Sequence, residues 1–310
     1  MTLLTRKTVL LAKVETIYGT DAVPTAAANA MLISNVTLTP LENDLAPRNF
    51  VRPYLGTTQE IVGTSRVALG FEVELAGSGA AGTAPAWGAL LRACAFSETL
   101  NAGISAVYAP VSAAFDSVSM YTFIDGTKYA LLGARGTVDF DFKDKAPPVA
   151  KFKFTGLYAP PADLANPVPT LTAWQTPLAM NNANTTGFTL HGYAGVMAAL
   201  TLTMANNVVH RNLVGVEEVM ITDRKPTGSI TIQAVNMAQA DFFTKVNTSA
   251  LGALALTHGT VAGNKVAFNL PLVQLTKPVF SDLNGVRMMQ MSLIPTPSAA
   301  GNDEITITAT

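Results

Sequence analysis

The fold is decided by an alternating stretch at residues 67–75, which reads Val67-Ala-Leu-Gly-Phe-Glu-Val-Glu-Leu75. Apolar side chains stand at every second position and share one face of an extended chain, while Glu72 and Glu74 lie on the other face. A period of two is typical of a strand that buries one face and leaves the other in solvent. The stretch therefore predicts an amphipathic β-strand.

The same alternation occurs in two later stretches, VDFDF at residues 138–142 and VAKFKF at residues 149–154. Residues 143–148 between them indicate the connection of a hairpin. In that hairpin the carboxylates of the first strand face the ammonium groups of the second, which stabilises the ladder by roughly 0.2–1 kcal/mol per pair. The paired side chains are Asp139 and Asp141 with Lys151 and Lys153.

Strands dominate the remainder of the chain as well. Helical patterns are few and short, at residues 84–96 and 237–246. The sequence therefore predicts a mainly β protein with one short helix in each half. The further predicted strands lie at residues 32–39, 198–204, 229–235, 265–275 and 286–295.

The composition limits the classes of protein to which the chain can belong. Its 310 residues include 20 Lys and Arg and 21 Asp and Glu, so only 13% are charged, whereas 49% are hydrophobic. This excludes a disordered chain, and a net charge of −1 argues against a protein that grips DNA by neutralising phosphates. No apolar run reaches the ~20 residues of a membrane-spanning helix, so no membrane partner is expected.

So few charges raise the question of where the apolar surface is buried. A solitary chain that exposes large apolar patches tends to aggregate, whereas obligate subunit interfaces resemble a domain core cut in half. We therefore expect an obligate assembly. The single Cys94 excludes an internal disulfide, and the absence of a signal-peptide pattern predicts synthesis and folding in a cytoplasm.

The two halves of the sequence resemble each other. Five short segments recur in the same order, at offsets that shrink from 164 to 137 residues. Val36-Thr-Leu-Thr39 is echoed by Leu200-Thr-Leu-Thr203, for example, although two β-rich halves can also share such short words by chance. Residues 158–177 hold five prolines and indicate a linker. The predicted organisation is a first unit at 1–160, a proline-rich linker at 161–178 and a second unit at 179–310.

No residue pattern predicts an active site. Residues 77–82 match the dinucleotide-binding sequence GxGxxG, but the strand before them carries two glutamates, whereas the first strand of such a fold is buried on both faces. The three histidines lie in separate segments without cysteine or carboxylate partners at metal-ligand spacing. Cys94 lies on an apolar helical stripe, where it packs as a small hydrophobe. We therefore expect no enzyme, no cofactor and no metal.

Two long connections separate predicted strands, at residues 41–63 and 205–222. Each holds an Arg-Asn-apolar-Val sequence flanked by charges, and each is too apolar for a disordered loop. We interpret both as arms that dock on a neighbouring subunit; the alternative is a hairpin extension packed on its own domain. The candidate inter-subunit residues are Arg48, Asn49, Phe50, Arg52, Tyr54, Glu60, Arg211, Asn212, Leu213, Glu217, Glu218 and Arg224.

Four stretches together resemble a known family. They are LAKVETIYGTDAVPT at 11–25, RNFVRPYLG at 48–56, RNLVG at 211–215 and ITDRKPTG at 221–228. Their joint order is similar to that of major tail tube proteins of long-tailed, non-contractile (siphovirus-type) bacteriophages and related particles. The resemblance implies a β-sandwich or barrel unit with one flanking helix, duplicated here. In that family, strands of neighbouring subunits join into a continuous inner barrel, and the long loop reaches an adjacent subunit or ring.

The resemblance also implies a function. Stacked rings would form a tail tube, a conduit through which DNA is ejected without specific binding, and two units per chain would give homotrimeric, pseudo-hexameric rings. The partners implied are tape-measure, terminator and baseplate proteins, with assembly in the host cytoplasm and a final place in the virion tail. The alternative is a tail terminator, baseplate or capsid decoration protein. The candidate lumen-facing residues are Glu72, Glu74, Asp139 and Asp141.

Overall fold

Alternating side chains place most of the chain in antiparallel strands. The computed structural model describes residues 2–310 and confirms a mainly β protein with two short helices. Its strands are β1 (Thr8–Val14), β2 (Ala30–Met31), β3 (Ser34–Ala46), β4 (Ile61–Glu74), β5 (Phe96–Asn101), β6 (Ser105–Pro110), β7 (Val118–Ile124), β8 (Thr127–Lys143), β9 (Val149–Tyr158), β10 (Ala162–Asp163), β11 (Thr185–Leu190), β12 (Met197–Thr203), β13 (Asn206–Leu213), β14 (Val216–Arg224), β15 (Thr227–Gln233), β16 (Leu251–His258), β17 (Val266–Leu283), β18 (Val286–Pro295) and β19 (Thr306–Ala309). The helices are α1 (Gly88–Arg92), between β4 and β5, and α2 (Phe242–Asn247), between β15 and β16.

The strands predicted from alternation are confirmed. β4 contains the alternating stretch that begins at Val67, and it starts six residues earlier, at Ile61. β8 and β9 form the predicted hairpin, in which Asp139 lies opposite Lys151. The five further predictions correspond to β3, β12, β15, β17 and β18.

Both helices are shorter than predicted. α1 has five residues, because the chain turns away after Arg92 and reaches a positive φ of 65° at Ala95. α2 has six residues and begins after Asp241, whose side chain accepts a hydrogen bond from the backbone N–H of Thr244 at 2.9 Å. This N-cap fixes the helix start, and the predicted residues before it form turns.

The strands of the two halves pair in the same order. In the first half, the pairings give the order β1-β7-β8-β9-β4-β3, with β2 on the outer side of β1. In the second half, they give β11-β16-β17-β18-β15-β12. Each helix follows the same strand of its half, since α1 follows β4 and α2 follows β15.

One hydrophobic core extends through both halves. It includes Phe140 and Phe142 of β8 and Phe268 of β17, whose rings meet edge to face with centroids 5.0 and 4.9 Å apart. The C-terminal strand β19 adds a second connection, because it pairs with β17 on one side and with β6 on the other. The halves are therefore joined by packing and by backbone hydrogen bonds.

The proline-rich segment at 161–178 lies along the first half. β10 pairs with the start of β8, and the backbone N–H of Thr170 donates to the carbonyl of Ala26 at 2.9 Å. The indole Nε1 of Trp174 donates to the carbonyl of Ala30 at 3.0 Å. The segment thus connects the halves along a defined path.

Candidate assembly surface

The two halves meet along a short ladder, here called the internal seam. Residues 199–203 of β12 pair with residues 139–143 of β8, and the N–H of Met204 extends the ladder to the carbonyl of Val138 at 3.0 Å. Leu202 lies opposite Phe140, and both side chains are buried in the core. The opposite face of the seam is polar, because Thr203 lies opposite Asp139 and hydrogen-bonds to it. The seam is therefore apolar on its inner face and polar on its outer face.

Among the strand edges that are unpaired within residues 2–310 are those of β3 and of the outer part of β17. β3 pairs with β4 alone, and β17 beyond Leu275 pairs with β18 alone. The β17 edge exposes apolar side chains: Val279 is 59% exposed and Phe280 is 40% exposed. An edge with unpaired N–H and C=O groups is a template for another strand.

The free edges of β3 and β17 belong to the strands that correspond, in the pairing orders of the two halves, to the two strands of the internal seam. β3 ends the pairing order of the first half, as β12 ends that of the second. β17 holds the place in the second half that β8 holds in the first. Each free edge therefore corresponds to an edge that is already paired inside the chain.

The predicted long loops are largely hairpins, which corrects the interpretation of residues 41–63 and 205–222 as connections. β3 and β4 continue outward until Ala46 pairs with Ile61, and we call residues 41–66 arm 1, with its tip at 47–60. β13 and β14 form a separate two-stranded hairpin, arm 2, at residues 206–224. The physical reason is that flanking charges pair across each ladder.

Arg66 shows this pairing in arm 1. Its guanidinium contacts the carboxylates of Glu42 and Asp44, each at 2.9 Å, on the opposite strand. Hydrogen bonds from Thr64 and Arg66 lower the pKa of Asp44. The pair is close to solvent, so it contributes little net stability but favours the hairpin register.

The tip of arm 1 is exposed and apolar. All six predicted tip residues are exposed, and two of their cations stack on their own aromatic neighbours, Arg48 on Phe50 at 4.6 Å and Arg52 on Tyr54 at 5.8 Å. Val51 and Leu55, which the sequence did not single out, have fully exposed side chains. The six are Arg48, Asn49, Phe50, Arg52, Tyr54 and Glu60.

In arm 2, most predicted residues pair within the hairpin. His210 contacts Glu217 at 3.1 Å, and Arg211 contacts Glu218 at 3.5 Å. Asn212 and Leu213 are exposed at the end of β13. The last predicted residue behaves differently.

Arg224, at the base of arm 2, is held inside its own chain. It forms an ion pair with the buried Glu304 and donates to the carbonyl of Val111 at 2.8 Å. The side chain is only 13% exposed. Its contacts therefore anchor the arm rather than present a docking group.

Arm 2 docks on the first half of the same chain. Its buried side chains Val219 and Ile221 pack there, and the hairpin contacts β8 and β9. The guanidinium of Arg135 donates to the carbonyl of Val219 at 2.8 Å, and the Val219 N–H donates to the hydroxyl of Tyr18. Burial raises the pKa of the Tyr18 phenol, which therefore stays neutral. Arm 2 thus packs on the first half of its own chain.

The base of arm 2 is fixed by an amide. The side-chain amide of Asn206 donates to the carbonyls of Cys94 and Gly136, at 2.9 and 3.0 Å. Cys94 is buried, and burial raises the pKa of its thiol well above the ordinary value. The thiol is therefore neutral and enclosed.

The four predicted lumen residues share one polar face. Glu72, Glu74, Asp139 and Asp141 stand on the outer side of β4 and β8, away from the core. Lys151 and Lys143 contact Asp141 at 3.0 and 3.1 Å, and Lys153 lies 3.9 Å from Asp139. Burial opposes ionisation of Asp141, but hydrogen bonds from the two lysines hold its pKa below the usual value.

The second half continues this face without charges. Most of its outward residues on the strands that correspond to β3, β4 and β9 are hydroxyls and amides. Beside the internal seam, the polar face of the first half carries the four predicted carboxylates and the ammonium groups of Lys143, Lys151 and Lys153. The uncharged residues are Thr201, Thr203, Thr227, Ser229, Thr231, Gln290 and Ser292.

The remaining motifs have structural surroundings. The glycine-rich turn at residues 77–82 packs against a second turn, with the N–H of Gly79 donating to the carbonyl of Gly263 at 2.8 Å. His191 and His258 each hydrogen-bond a backbone carbonyl. Among residues 2–310, no group of three or more His, Cys, Asp or Glu is arranged to hold a metal ion. No helix in the same residues is long and apolar enough to cross a bilayer.

Comparison with known proteins identifies the family. A family model described as phage tail tube protein matches residues 5–310, which is nearly the whole chain. No curated protein matches the sequence. The match agrees with the β-rich fold and with free strand edges suited to self-association. The chain therefore belongs to the phage tail tube protein family, whose members are structural components of the virion tail.

Proposed function

We propose that the chain polymerises as stacked homotrimeric rings into the tail tube of a siphovirus-type phage, through which DNA is ejected. The observation that carries the proposal is the internal seam, in which β12 of one half pairs with β8 of the other. The corresponding edges of β3 and β17 are free. A second copy of the chain can satisfy both edges by repeating the seam between chains.

Repeating the seam leads to a closed ring. Each chain then offers β3 to one neighbour and β17 to the other, a head-to-tail contact that closes if the rotation is correct. Closure removes both exposed edges, which would otherwise invite irregular aggregation. The repeated pairing order supports reading residues 1–160 and 179–310 as two tandem units, with 161–178 as their connection. Three chains supply six units, the number that the family resemblance implies.

The packing of arm 2 within the chain suggests how arm 1 packs between chains. Arm 2 packs on β8 and β9 of the adjacent unit inside the chain. β17 and β18 correspond to β8 and β9 in the pairing order, so the base of arm 1 docks on β17 and β18 of the neighbouring chain. The tip of arm 1 has 14 residues, whereas β13 and β14 are joined directly by Val214 and Gly215, so the tip extends beyond that contact toward an adjacent ring.

The polar face suits the wall of a DNA conduit. A wall rich in Lys and Arg would bind phosphates by releasing counterions and would slow transport. Beside the internal seam, this face carries four carboxylates and three ammonium groups, the lysines contact the aspartates, and the corresponding Thr, Ser and Gln residues of the second half are uncharged. We infer that Glu72, Glu74, Asp139 and Asp141 line the lumen and that DNA passes without specific binding.

The alternative functions predict different assemblies. A terminator, baseplate or decoration protein would form a single closed ring or isolated copies. The exposed apolar tip of arm 1 favours a tube, because a ring that stacks on others needs a contact out of its plane. Tape-measure, terminator and baseplate proteins are the proposed partners, assembly is proposed in the host cytoplasm, and no enzymatic activity is proposed.

Negative-stain microscopy of the purified chain tests the proposal. We expect hollow tubes of stacked rings, and native mass spectrometry of dissociated rings should give three chains per ring. Single rings that never stack would support the alternative class. A monodisperse monomer at high concentration would contradict both.

Charge reversal at Glu74 should slow DNA ejection. Glu74 is exposed on the polar face and has no ion-pair partner among residues 2–310, so Glu74→Lys adds positive charge to the proposed wall. We expect ejection from virions to slow severalfold at low salt, and the difference to shrink as salt rises. The matched control is Asp163→Lys, an exposed carboxylate outside this face, which should leave ejection unchanged. Equal rates for the two variants would contradict a lumenal Glu74.

A further inference from the structure

We propose that Pro40 and Pro278 set the register in which β3 of one chain joins β17 of a second copy, with Leu38 opposite Phe280. This inference rests on the proposed ring and specifies the seam that closes it. The internal seam supplies the template, and the strand ladders carry it to the free edges.

The correspondence between the seams follows from the ladders. The repeated sequences VTLT and LTLT align Thr39 with Thr203, and their ladder partners on the next strand are Ala68 and Thr227. Four residues beyond Ala68 in β4 is Glu72, and four residues beyond Thr227 in β15 is Thr231. From each of these two residues, a row of directly opposite residues can be followed across the neighbouring strands. One row runs through Glu72, Lys151 and Asp139, and the other runs through Thr231, Gln290 and Val279.

Val279 therefore holds the place of Asp139. Since Thr203 lies opposite Asp139 in the internal seam, Thr39 lies opposite Val279 in the seam between chains. Leu38 then meets Phe280, as Leu202 meets Phe140 inside the chain.

This register matches the two faces of the sheet. Leu38 packs against the core, and Phe280 lies opposite the buried Met289, so both belong to the apolar face. Thr39 and Val279 belong to the polar face. Closing the seam covers Phe280, which is 40% exposed in the single chain. A shift of one residue would place apolar side chains opposite the polar face and is excluded on that ground.

A shift of the β3–β17 register by two residues keeps apolar side chains on the apolar face. The two prolines distinguish the proposed register from these shifted ones. Pro40 follows Thr39 and Pro278 precedes Val279, and each lies in a bulge that interrupts the ladder of its own strand. In the proposed register they face each other at the end of the seam. The internal seam has at that point a hydrogen bond from Met204 to Val138.

A two-residue shift in either direction brings one proline into the new ladder. In one direction Pro278 lies opposite Leu38, and in the other Pro40 lies opposite Phe280. Proline lacks the N–H that a ladder needs and is confined to edges and bulges of sheets. Each proline therefore blocks one shifted register, and together they leave one.

Cysteine pairs on the polar face test the register. The Met204 to Val138 bond marks a hydrogen-bonded pair, so the neighbouring pair is of the close type, with Cα atoms about 4.5 Å apart. The matched variant is Thr39→Cys with Val279→Cys. The mismatched variants are Thr37→Cys with Val279→Cys, and Thr39→Cys with Ser281→Cys. All four positions are exposed, and the native Cys94 is buried and does not compete.

We expect the matched variant to give covalent trimers on non-reducing gels. Crosslinking should exceed that of the mismatched variants by about tenfold, because a two-residue offset moves Cα atoms beyond the ~7 Å limit for a disulfide. Pro278→Ala should raise crosslinking selectively in the pair at 37 and 279. Pro40→Ala should raise it selectively in the pair at 39 and 281.

The outcomes separate this inference from the proposed function. Equal crosslinking of matched and mismatched pairs would overturn the register, and no selective effect of either alanine variant would overturn the role of the two prolines; both results would leave the ring intact. Tubes that form without crosslinking in any pair would overturn the β3–β17 seam. Failure of the parent chain to assemble would overturn the proposed function and the seam with it.

Discussion

Phe268→Ala is expected to destabilise both halves of the chain together, by about 3–5 kcal/mol, the usual cost of removing a fully buried Phe side chain. Phe268 belongs to the second half and is 1% exposed. Its ring meets Phe140 and Phe142 of the first half, so the substitution leaves a cavity where the two halves share their core. The effect should therefore reach residues far from the substitution in sequence.

Tryptophan fluorescence gives a direct test of that coupling. Trp87 is buried in the first half, and Trp174 hydrogen-bonds to Ala30 of the first half, so both tryptophans report on that half. Phe268→Ala should lower the denaturant midpoint of the fluorescence transition and of the circular dichroism transition together. A circular dichroism loss that precedes an unchanged fluorescence transition would show that the halves unfold independently.

The matched control is the same substitution at an exposed position. Phe243 in α2 is 41% exposed and contacts only the edge residue Phe280 among the aromatic side chains of residues 2–310. Phe243→Ala should cost less than about 1 kcal/mol in the single chain, because surface positions tolerate truncation. Equal losses for the two variants would contradict the shared core.

The clearest sequence predictions were strands whose two faces differ. β4, β9 and the outer part of β8 alternate because one face meets the core and the other meets solvent. β7 carries no such signal, since six of its seven residues are buried, and it was not predicted. Its burial on both faces arises from tertiary packing, which periodicity alone cannot report.

The sequence indicated two loops, whereas the local structure of both is largely that of hairpins. The length of residues 41–63 indicated a loop, yet its residues Glu42 and Asp44 are cross-strand partners of Arg66 in a hairpin. Arg66 and Arg224 each stand two residues after a threonine, but the partner of Arg224, Glu304, lies 80 residues away, so sequence spacing gave no sign of the buried pair. The two arginines therefore differ in their ion-pair partners, which lie in the same hairpin for Arg66 and near the C-terminal strand for Arg224.

The assembly surface was predictable only in part. Period two placed Glu72, Glu74, Asp139 and Asp141 on one face, and the structure keeps them there. The free edges of β3 and β17 could not be predicted, because a free edge is defined by the strands that fail to pair with it. Pro40 and Pro278 acquire their meaning only when the ladders bring them to corresponding edges.

Truncation of the arm 1 tip is expected to leave trimeric rings but to abolish tubes. The variant replaces residues 47–60 by Asn-Gly, which closes the hairpin after its last ladder pair, Ala46 with Ile61. The tip residues are exposed, so their loss removes no core packing. The seam edges are also unchanged, and ring closure should persist.

Stacking should be lost because the tip concentrates exposed apolar side chains in one short segment outside the seam. Four large apolar side chains are exposed there, namely Phe50, Val51, Tyr54 and Leu55. Burying each contributes about 1.5–3 kcal/mol, and three tips would act at every ring-to-ring contact. Half of the sum over the three tips exceeds the ~8 kcal/mol of association free energy that corresponds to a micromolar dissociation constant.

A variant that keeps the length of the tip shows whether stacking depends on its apolar side chains or only on its length. Serine at all four apolar tip positions should also abolish tubes, whereas alanine at the polar tip positions Thr57 and Gln59 should not. Negative-stain microscopy counts tubes, and sedimentation measures whether trimers persist. Tubes of normal length from the truncated chain would show that the tip does not join rings. Loss of trimers together with tubes would instead assign the tip to the contact between chains within a ring, beside the β3 edge that the truncation leaves in place.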